Sequence, residues 1–155
     1  MTGKIDARLK QLGLTLPVAP GAAGSYVPWV RTGNLVFIAG QGPVVDGQMR
    51  HPGVVGRDLD VATGQAAARI VILNVIAQVR AALGGDLDRV RRCVRLGGYV
   101  ACVAGFTQQP EVLNGASDLM MEIFGEAGKH ARVAIGCNAL PRNMSVEIEA
   151  VFEVE

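Results

Sequence analysis

One arginine stands out in the C-terminal part of the chain because it opens a run of small and apolar residues, 133 to 139. The guanidinium of Arg132 could bind an anionic ligand, extend to solvent, or pair with Glu149 or Glu153 of the next strand-like run. The pattern alone favours solvent or an ion pair, since most surface arginines make such contacts. Arg132 is therefore a candidate binding residue whose role depends on what surrounds it.

The two histidines do not form an acid–base pair in the sequence. His51 lies in a Pro-Gly loop, and His130 comes just before the run that Arg132 opens. Cleavage of RNA would need a general base and a general acid beside a phosphate-binding groove, and neither position indicates one. His130 could line the rim of a pocket around Arg132, whereas nucleic acid is not favoured as a ligand.

The cysteines and the basic cluster both have structural explanations. The cysteines are odd in number, lack the CxxC spacing and have apolar neighbours, which indicates buried small side chains rather than disulfides or a metal site. They are Cys93, Cys102 and Cys137. The basic cluster consists of Arg89, Arg91 and Arg95 on one predicted strand face and Arg92 on the other. A solvated edge, or ion pairs with Asp86 and Asp88, would explain this cluster.

Composition limits the classes of function. The chain has 155 residues, of which 50% are hydrophobic and 19% charged, and its formal net charge is +1. That charge does not attract nucleic acid or an anionic membrane, and the length suits one domain, with an N-terminal helix and arm (1–25) and a core (26–155). The first ten residues lack the apolar core of a signal peptide, and the apolar run 70–77 is too short to span a bilayer. We therefore expect a cytoplasmic protein that acts on a small molecule.

Hydrophobic periodicity and turn residues predict a short leading helix followed by the order β-β-α-β-α-β-β. The predicted helices cover residues 5–12, 62–83 and 110–124, and the predicted strands cover 26–31, 35–39, 89–103, 133–139 and 145–154. The connections are short except around 45–60 and 103–110. This order favours an α+β fold with both long helices on one face of the sheet.

Such a layout leaves the opposite face of the sheet uncovered. Alternation along residues 132–139 places Val133, Ile135, Cys137 and Ala139 on one face, and Arg132, Ala134, Gly136 and Asn138 on the other. If the first set meets the helices, the second set shares the open face with Glu147 of the last strand. A face that mixes small residues with charges predicts packing against another subunit.

Several motifs, in order, resemble those of the RidA/YjgF family of reactive-intermediate deaminases, also called endoribonuclease L-PSP. They are GNLVFIAGQ (33–41), Gln65 and Asn74 in an alanine-rich helix, Ala131-Arg132, Leu140-Pro141 and VEIEA (146–150). The resemblance extends from about Tyr26 to the C-terminus. The N-terminal arm and residues 97–110 exceed the compact family pattern, which indicates a longer subgroup.

The resemblance implies a chorismate-mutase-like α+β fold with a mixed sheet and two helices on one face. It also implies a homotrimer whose sheets line the centre, with three sites in the clefts between subunits, and this assembly would cover the open face. The implied activity is that of a hydrolase, which converts 2-imino or 2-enamino acids to 2-oxo acids and ammonia. Neither a metal nor an organic cofactor is implied.

The resemblance also gives roles to particular residues. Arg132 would hold the substrate carboxylate through its bidentate fork, and Glu147 would orient water toward the imine carbon. Gly40 would bring its backbone close to the ligand, which the absence of a side chain allows. Tyr26 matches an aromatic residue that the neighbouring subunit contributes, and Asn114 lies near the family's helix asparagine.

Two further expectations concern the pocket. Where many relatives have a cysteine two residues after the arginine, this chain has Ala134, which excludes thiol chemistry there and leaves the substrate open. If the last two strands form a hairpin about Pro141 and Arg142, Arg132 and Glu147 share a face about four residues apart, roughly 13 Å along the ladder. The alternative to an enzyme is a non-catalytic protein that binds a small carboxylate for regulation or scavenging; an endoribonuclease is less favoured.

Overall fold

A computed structural model describes residues 3–155, so the first two residues of the predicted N-terminal segment lie outside the described range. The helices are α1 (Lys4–Gln11), α2 (Val61–Ala82) and α3 (Gln109–Phe124). The strands are β1 (Trp29–Thr32), β2 (Leu35–Gln41), β3 (Val44–Val45), β4 (Gln48–Met49), β5 (Val90–Ala101), β6 (Ala131–Cys137) and β7 (Val146–Val154). The predicted order is confirmed, with one addition. The small β3–β4 hairpin forms within the segment that the sequence indicated as a loop.

Aspartates define the N-terminal ends of two helices. The carboxylate of Asp60 accepts a hydrogen bond of 2.7 Å from the backbone nitrogen of Thr63 and thereby caps α2. Asp88 caps α1 from a distant part of the chain, because its carboxylate accepts hydrogen bonds from the backbone nitrogens of Lys4 (2.7 Å) and Ile5 (2.9 Å). These backbone hydrogen bonds hold the pKa of Asp88 below its usual range. Asp88, expected as an ion-pair partner of the basic cluster, therefore serves as a helix cap.

Five strands form one sheet in the order β1-β2-β7-β5-β6. Strands β5 and β6 are parallel, and the other neighbouring pairs are antiparallel. Helix α3 provides the crossover that a parallel pair of strands requires. Because β5 lies between β7 and β6, the last two strands do not pair, and the hairpin expected about Pro141 and Arg142 is wrong. The segment 138–145 instead crosses the end of β5, where Ser145 accepts a backbone hydrogen bond of 2.9 Å from Ala101.

The register also corrects the expected orientation of β6. Leu96 pairs with Arg132 of β6 and with Ala150 of β7, so these three side chains lie on one face of the sheet. Leu96 and Ala150 are buried under the helices, so Arg132, Ala134 and Gly136 also face the helix layer. The open face receives Val133, Ile135 and Cys137. The predicted orientation of β6 was wrong because it assumed that the apolar set of β6 meets the helices, whereas the open face is itself partly apolar.

Strand β7 confirms the predicted alternation. Its buried side chains are Val146, Ile148, Ala150 and Phe152, and its half-buried glutamates on the other face are Glu147, Glu149 and Glu153. Helix α2 packs on β2 and β7, and α3 packs on β5 and β6. Both long helices therefore lie on one face of a mixed sheet, as predicted. Each fully buried side chain such as Ile72 or Phe152 contributes about 1.5–3 kcal/mol to this core.

Two register shifts near the start of β5 rearrange the basic cluster. As β-bulges, they interrupt the alternation, so that Arg92 and Arg95 both lie on the open face. Arg92 pairs with Glu153 at 3.5 Å, and Arg95 pairs with Glu149 at 2.9 Å. The predicted division of the arginines between two faces is thus wrong, but the structural explanation by ion pairs holds with different partners.

Helix α2 contains an 18-residue stretch that is apolar enough to cross a membrane, with a mean hydropathy of 1.3. However, 56% of that stretch is buried inside the structure. Two of its polar side chains also contact backbone oxygens of the protein: Asn74 donates to Gly42 at 3.0 Å and Gln78 donates to Pro20 at 2.6 Å. The apolar character of α2 is therefore explained by its position as the core helix.

The three cysteines are free thiols. Cys93 is buried in the core, as the sequence predicted, whereas Cys102 and Cys137 are half-buried at the ends of β5 and β6. Burial raises the pKa of the Cys93 thiol to about 12 and also raises the pKa of Cys137. These two thiols therefore stay protonated at neutral pH, which disfavours nucleophilic chemistry.

Gly98 allows α3 to approach β5 closely, because a Cβ at this position would collide with the side chain of Leu113. We expect Gly98→Ala to lower the free energy of unfolding by about 1–3 kcal/mol, since the packed layer must shift to accept the methyl group. Urea denaturation measures this change. Gly21→Ala is the matched control: a Cβ there meets no atom within 4 Å, and we expect a change below about 0.5 kcal/mol. Equal stability of the two variants would contradict the close packing.

Candidate active site

Side chains of α3 hold the guanidinium of Arg132, which projects from β6. Its Nη1 atom donates to Asn114 Oδ1 at 2.9 Å and to Ser117 Oγ at 3.0 Å. Asn114 and Ser117 are three positions apart in α3, so they project from the same side of the helix. Both partners are neutral, and within residues 3–155 no carboxylate lies at ion-pair distance from Arg132. Its positive charge is therefore not neutralised within residues 3–155 and can bind an anionic ligand.

Ala134 forms the surface next to Arg132 on the same face of β6. It pairs in register with Gly98 of β5 and packs against the hydrophobic core. Its methyl group offers neither a hydrogen bond nor a nucleophile. The immediate surroundings of Arg132 thus combine one cation, the neutral oxygens of Asn114 and Ser117, and an apolar floor.

Glu147 lies on the other face of the sheet, beside a cavity of about 420 Å³. Gly40 belongs to a β-bulge of β2 that faces Glu147, and a Cβ on residue 40 would collide with the Glu147 carboxylate. Glycine is therefore required for the carboxylate to lie over the bulge. Tyr26 lines the same cavity, and its hydroxyl accepts a hydrogen bond of 3.2 Å from the backbone nitrogen of Ala23. Tyr26 thus accompanies Glu147 of its own chain.

Two buried amides of α2 hold the walls of this cavity. Gln78 donates to the carbonyl of Pro20 at 2.6 Å, which fixes the N-terminal arm over the cavity. Asn74 donates to the carbonyls of Gly42 (3.0 Å) and Val44 (2.9 Å), which fix the segment after β2. Pro20, Gly42 and Val44 all line the cavity. The asparagine recognised as a motif residue in the sequence is therefore a support of the cavity wall.

The environment of Glu147 makes its carboxylate more basic. Burial, with a smaller contribution from the negative charge of Glu149, raises the pKa of Glu147 above its ordinary value. A carboxylate with a raised pKa accepts a proton more readily, which suits a group that activates water. In contrast, Glu149 is bound to Arg95 at 2.9 Å and has a structural role.

The residues predicted as one site form two groups in a single chain. The first group is Arg132, Asn114 and Ala134, and the second is Glu147, Gly40 and Tyr26. Arg132 and Glu147 are separated by three residues along the strands and two strand spacings across them, about 14 Å between Cα atoms. They also lie on opposite faces, so the expectation that they share a face is wrong. Within the described part of the chain, no cluster of three or more His, Cys, Asp or Glu could hold a metal.

Sequence reasoning missed two residues of this region. Ser117 contacts Arg132, and its spacing of three from Asn114 in a predicted helix was the available signal. Arg142, treated only as a turn residue, adopts a φ of 56° and lines the cavity beside Glu147. No pattern in the sequence indicates this second position, because it depends on how segment 138–145 crosses the sheet.

The chain matches, over residues 6–153, a family described as "YjgF/chorismate mutase-like, putative endoribonuclease". Protein TCP17 of Trypanosoma cruzi is 44% identical over 154 residues, which are 99% of this chain and 96% of that protein. The crystal structure of Atu1372 from Agrobacterium tumefaciens, a protein of unknown function, gives a TM-score of 0.91 at 49% identity, covering 97% of this chain and 92% of that chain. A 2-iminobutanoate/2-iminopropanoate deaminase of Dermatophagoides farinae is 25% identical over 146 residues, 92% of this chain and 95% of that protein. These matches confirm the chorismate-mutase-like fold.

The raised pKa of Glu147 can be measured by NMR titration of its carboxyl carbon. We expect a pKa above the ordinary 4.5, and a lower pKa in Glu149→Gln, because removal of a nearby negative charge favours the ionised form. Burial is the larger cause, so the pKa in Glu149→Gln should stay above 4.5. Glu153 is a half-buried glutamate on the same strand face, so Glu153→Gln is the matched control and should leave the pKa of Glu147 unchanged. A pKa at or below 4.5 in the unaltered protein would contradict a buried carboxylate without a cationic partner.

Proposed function

We propose, since the chain belongs to the YjgF/RidA family, that it hydrolyses 2-imino or 2-enamino acids to 2-oxo acids and ammonia. The observation that carries the proposal is the guanidinium of Arg132, which is held by two neutral side chains and has no carboxylate partner in residues 3–155. A planar carboxylate is a ligand that a guanidinium contacts bidentately. The relative named as a 2-iminobutanoate/2-iminopropanoate deaminase supports the choice of an imino acid.

In the proposed reaction, water adds to C2 of the imine while Arg132 holds the carboxylate. Glu147 orients the water and accepts its proton as the new C–O bond forms. That proton then passes to the imine nitrogen, which completes a neutral tetrahedral carbinolamine. The carbinolamine hydroxyl proton moves to the same nitrogen, the C–N bond breaks, and ammonia leaves as the C2 carbonyl forms. One water is consumed and no electrons are transferred to or from the substrate. The raised pKa of Glu147 favours its role as the proton acceptor.

The proposed site combines two copies of the chain. No small ligand can contact both Arg132 and Glu147 of one chain, because they lie on opposite faces of the sheet. We therefore propose a homotrimer with the open faces at its centre, in which each of three clefts joins Arg132 of one chain to Glu147 of the next. The exposed apolar side chains of the open face support this assembly, since Val30, Phe37 and Ile135 are 53%, 43% and 46% exposed in the single chain. Their burial between subunits is favourable.

The second candidate function is a non-catalytic protein that binds a small carboxylate. Ala134 is the observation that favours it, because the apolar floor beside Arg132 differs from the cysteine of many relatives and changes the pocket. The two functions differ in one measurable respect. Both predict that Arg132 binds a 2-oxo acid, but only the deaminase accelerates the decay of an imine.

Substitutions at the two charged residues should have different effects on binding and turnover. Arg132→Ala should abolish both, and Arg132→Lys should restore little, since an ammonium does not reproduce the bidentate fork. Glu147→Gln should bind 2-oxobutanoate almost normally but release ammonia about 10²- to 10⁴-fold more slowly. An amino-acid oxidase generates the imine in place, and a semicarbazide competition measures turnover. Glu153→Gln is the matched control and should keep full activity; an equally active Glu147→Gln would exclude the proposed role of Glu147.

Mixed assemblies test whether the site is shared between chains. We expect inactive Arg132→Ala and inactive Glu147→Gln proteins, unfolded together and refolded as a 1:1 mixture, to recover activity at about one quarter of the sites, because random assembly pairs an intact Arg132 with an intact Glu147 at that frequency. Each variant refolded alone is the control and should stay inactive. Light scattering should report a trimer for the mixture. Trimers without recovered activity would contradict the shared site.

A further inference from the structure

The hydrogen-bonded network around Arg132 extends beyond the two residues that contact it. Ser117 Oγ lies 3.0 Å from Arg132 Nη1 and 2.9 Å from His130 Nε2. The other ring nitrogen of the histidine, Nδ1, lies 2.6 Å from the carbonyl oxygen of Gly128. Ser117 is buried in α3, and His130 immediately precedes β6. A continuous chain of polar groups therefore connects the guanidinium to the backbone before β6.

The groups at the two ends of this network, a guanidinium and a carbonyl, determine the direction of every hydrogen bond in it. A guanidinium only donates, so Ser117 Oγ accepts from Arg132. A carbonyl oxygen only accepts, so Nδ1 of His130 carries a hydrogen and donates it to Gly128. The remaining bond then runs from the Ser117 hydroxyl to the unprotonated Nε2. The neutral imidazole with its hydrogen on Nδ1 is the form that uses all of these groups, whereas a charged imidazole would direct a second cationic N–H at the same hydroxyl.

We propose that His130, acting through Ser117, is a positioning residue that fixes the orientation of the Arg132 guanidinium for a carboxylate ligand. The inference rests on the proposed function, since it concerns the same binding site. Asn114 and Ser117 take the two hydrogens of Nη1, and because the guanidinium is planar, these two contacts fix its plane. The Nε and Nη2 hydrogens, which form no hydrogen bond within residues 3–155, are then held in the position for a bidentate contact.

His130 is needed because a helical serine has a competing hydrogen bond. The hydroxyl of a serine in a helix readily donates to the carbonyl four residues earlier, which for Ser117 belongs to Leu113. The imidazole Nε2 offers the hydroxyl an alternative acceptor on the side of β6. With its hydrogen directed at His130, Ser117 keeps a lone pair aimed at Arg132. Loss of the imidazole therefore releases one of the two contacts that hold Nη1.

The test uses the full chain with His130→Leu, His130→Gln, Ser117→Ala and the double variant His130→Leu/Ser117→Ala. Gln can place an amide oxygen near the position of Nε2, so it should restore most of the function lost in His130→Leu. His51→Asn is the control for loss of a histidine that does not belong to this network, and asparagine tolerates the φ of 48° at that position. Thermal unfolding verifies that each variant is folded before kinetics are measured.

We expect His130→Leu and Ser117→Ala each to raise the KM for the imine, and the Kd for 2-oxobutanoate, by roughly fivefold to tenfold, as for the loss of one hydrogen bond. The kcat should change little, because carboxylate binding is equally weakened before and during the reaction. The double variant should have the same KM and Kd as either single variant, since both changes interrupt the same series of hydrogen bonds. In NMR spectra, the Arg132 guanidinium should rotate slowly in the unaltered protein and His130→Gln, and faster in His130→Leu.

A His130→Leu protein with unchanged KM and unchanged guanidinium rotation would overturn the inference, as would an imidazole whose neutral form carries its hydrogen on Nε2. An additive effect in the double variant would also overturn it, because His130 would then act separately from Ser117. Failure of the proposed function has a different signature: the unaltered protein would neither turn over the imine nor bind 2-oxobutanoate. The guanidinium rotation, measured without ligand, then still decides whether His130 positions Arg132.

Discussion

The position of β5 between β7 and β6 is the constraint on which the candidate site depends. The partner on β5 determines the face on which each side chain of β6 and β7 lies. Arg132 pairs with Leu96 and so lies on the helix face, whereas Glu147 pairs with Tyr99 and so lies on the open face. The parallel pairing of β5 with β6 follows from the crossover through α3. That helix then supplies Asn114 and Ser117 to the arginine. The same topology that supports Arg132 thus also separates it from Glu147 within one chain.

Small residues allow the two groups of site residues to approach their supports. Gly98 gives Leu113 of α3 access to β5, next to the strand that carries Arg132, and Gly40 leaves space for the carboxylate of Glu147. In both places a methyl group would occupy volume already filled by a neighbouring side chain. The glycines therefore act through packing rather than through unusual backbone angles, since neither of them has a positive φ in the structure.

The sequence predicted elements well and their lateral arrangement poorly. The periodicity of α2 and α3 and the alternation of β7 depend on local burial, and these predictions were confirmed. The order of the strands and the faces of β6 depend on contacts between distant segments, which periodicity does not encode. The predicted face of Arg92 was wrong for the same reason, because the bulges of β5 form in its pairing with β7. The β3–β4 hairpin had a local signal that the prediction of a loop did not use, the Asp46-Gly47 dipeptide between Val45 and Gln48. The residues named for the site came from the family resemblance, whereas Ser117 required the packing of α3 on β6.

The division of charge between the two groups has a consequence for catalysis in the proposed trimer. Glu147 is basic in the single chain because burial and Glu149 disfavour its ionised form. An arginine from a second chain would favour that form and so lower the basicity of Glu147. A substrate carboxylate bound to Arg132 neutralises this effect, because the cation is then paired with the ligand. The basicity that water activation requires is therefore greatest when the substrate occupies the cleft, and the carboxylate becomes a determinant of rate as well as of binding.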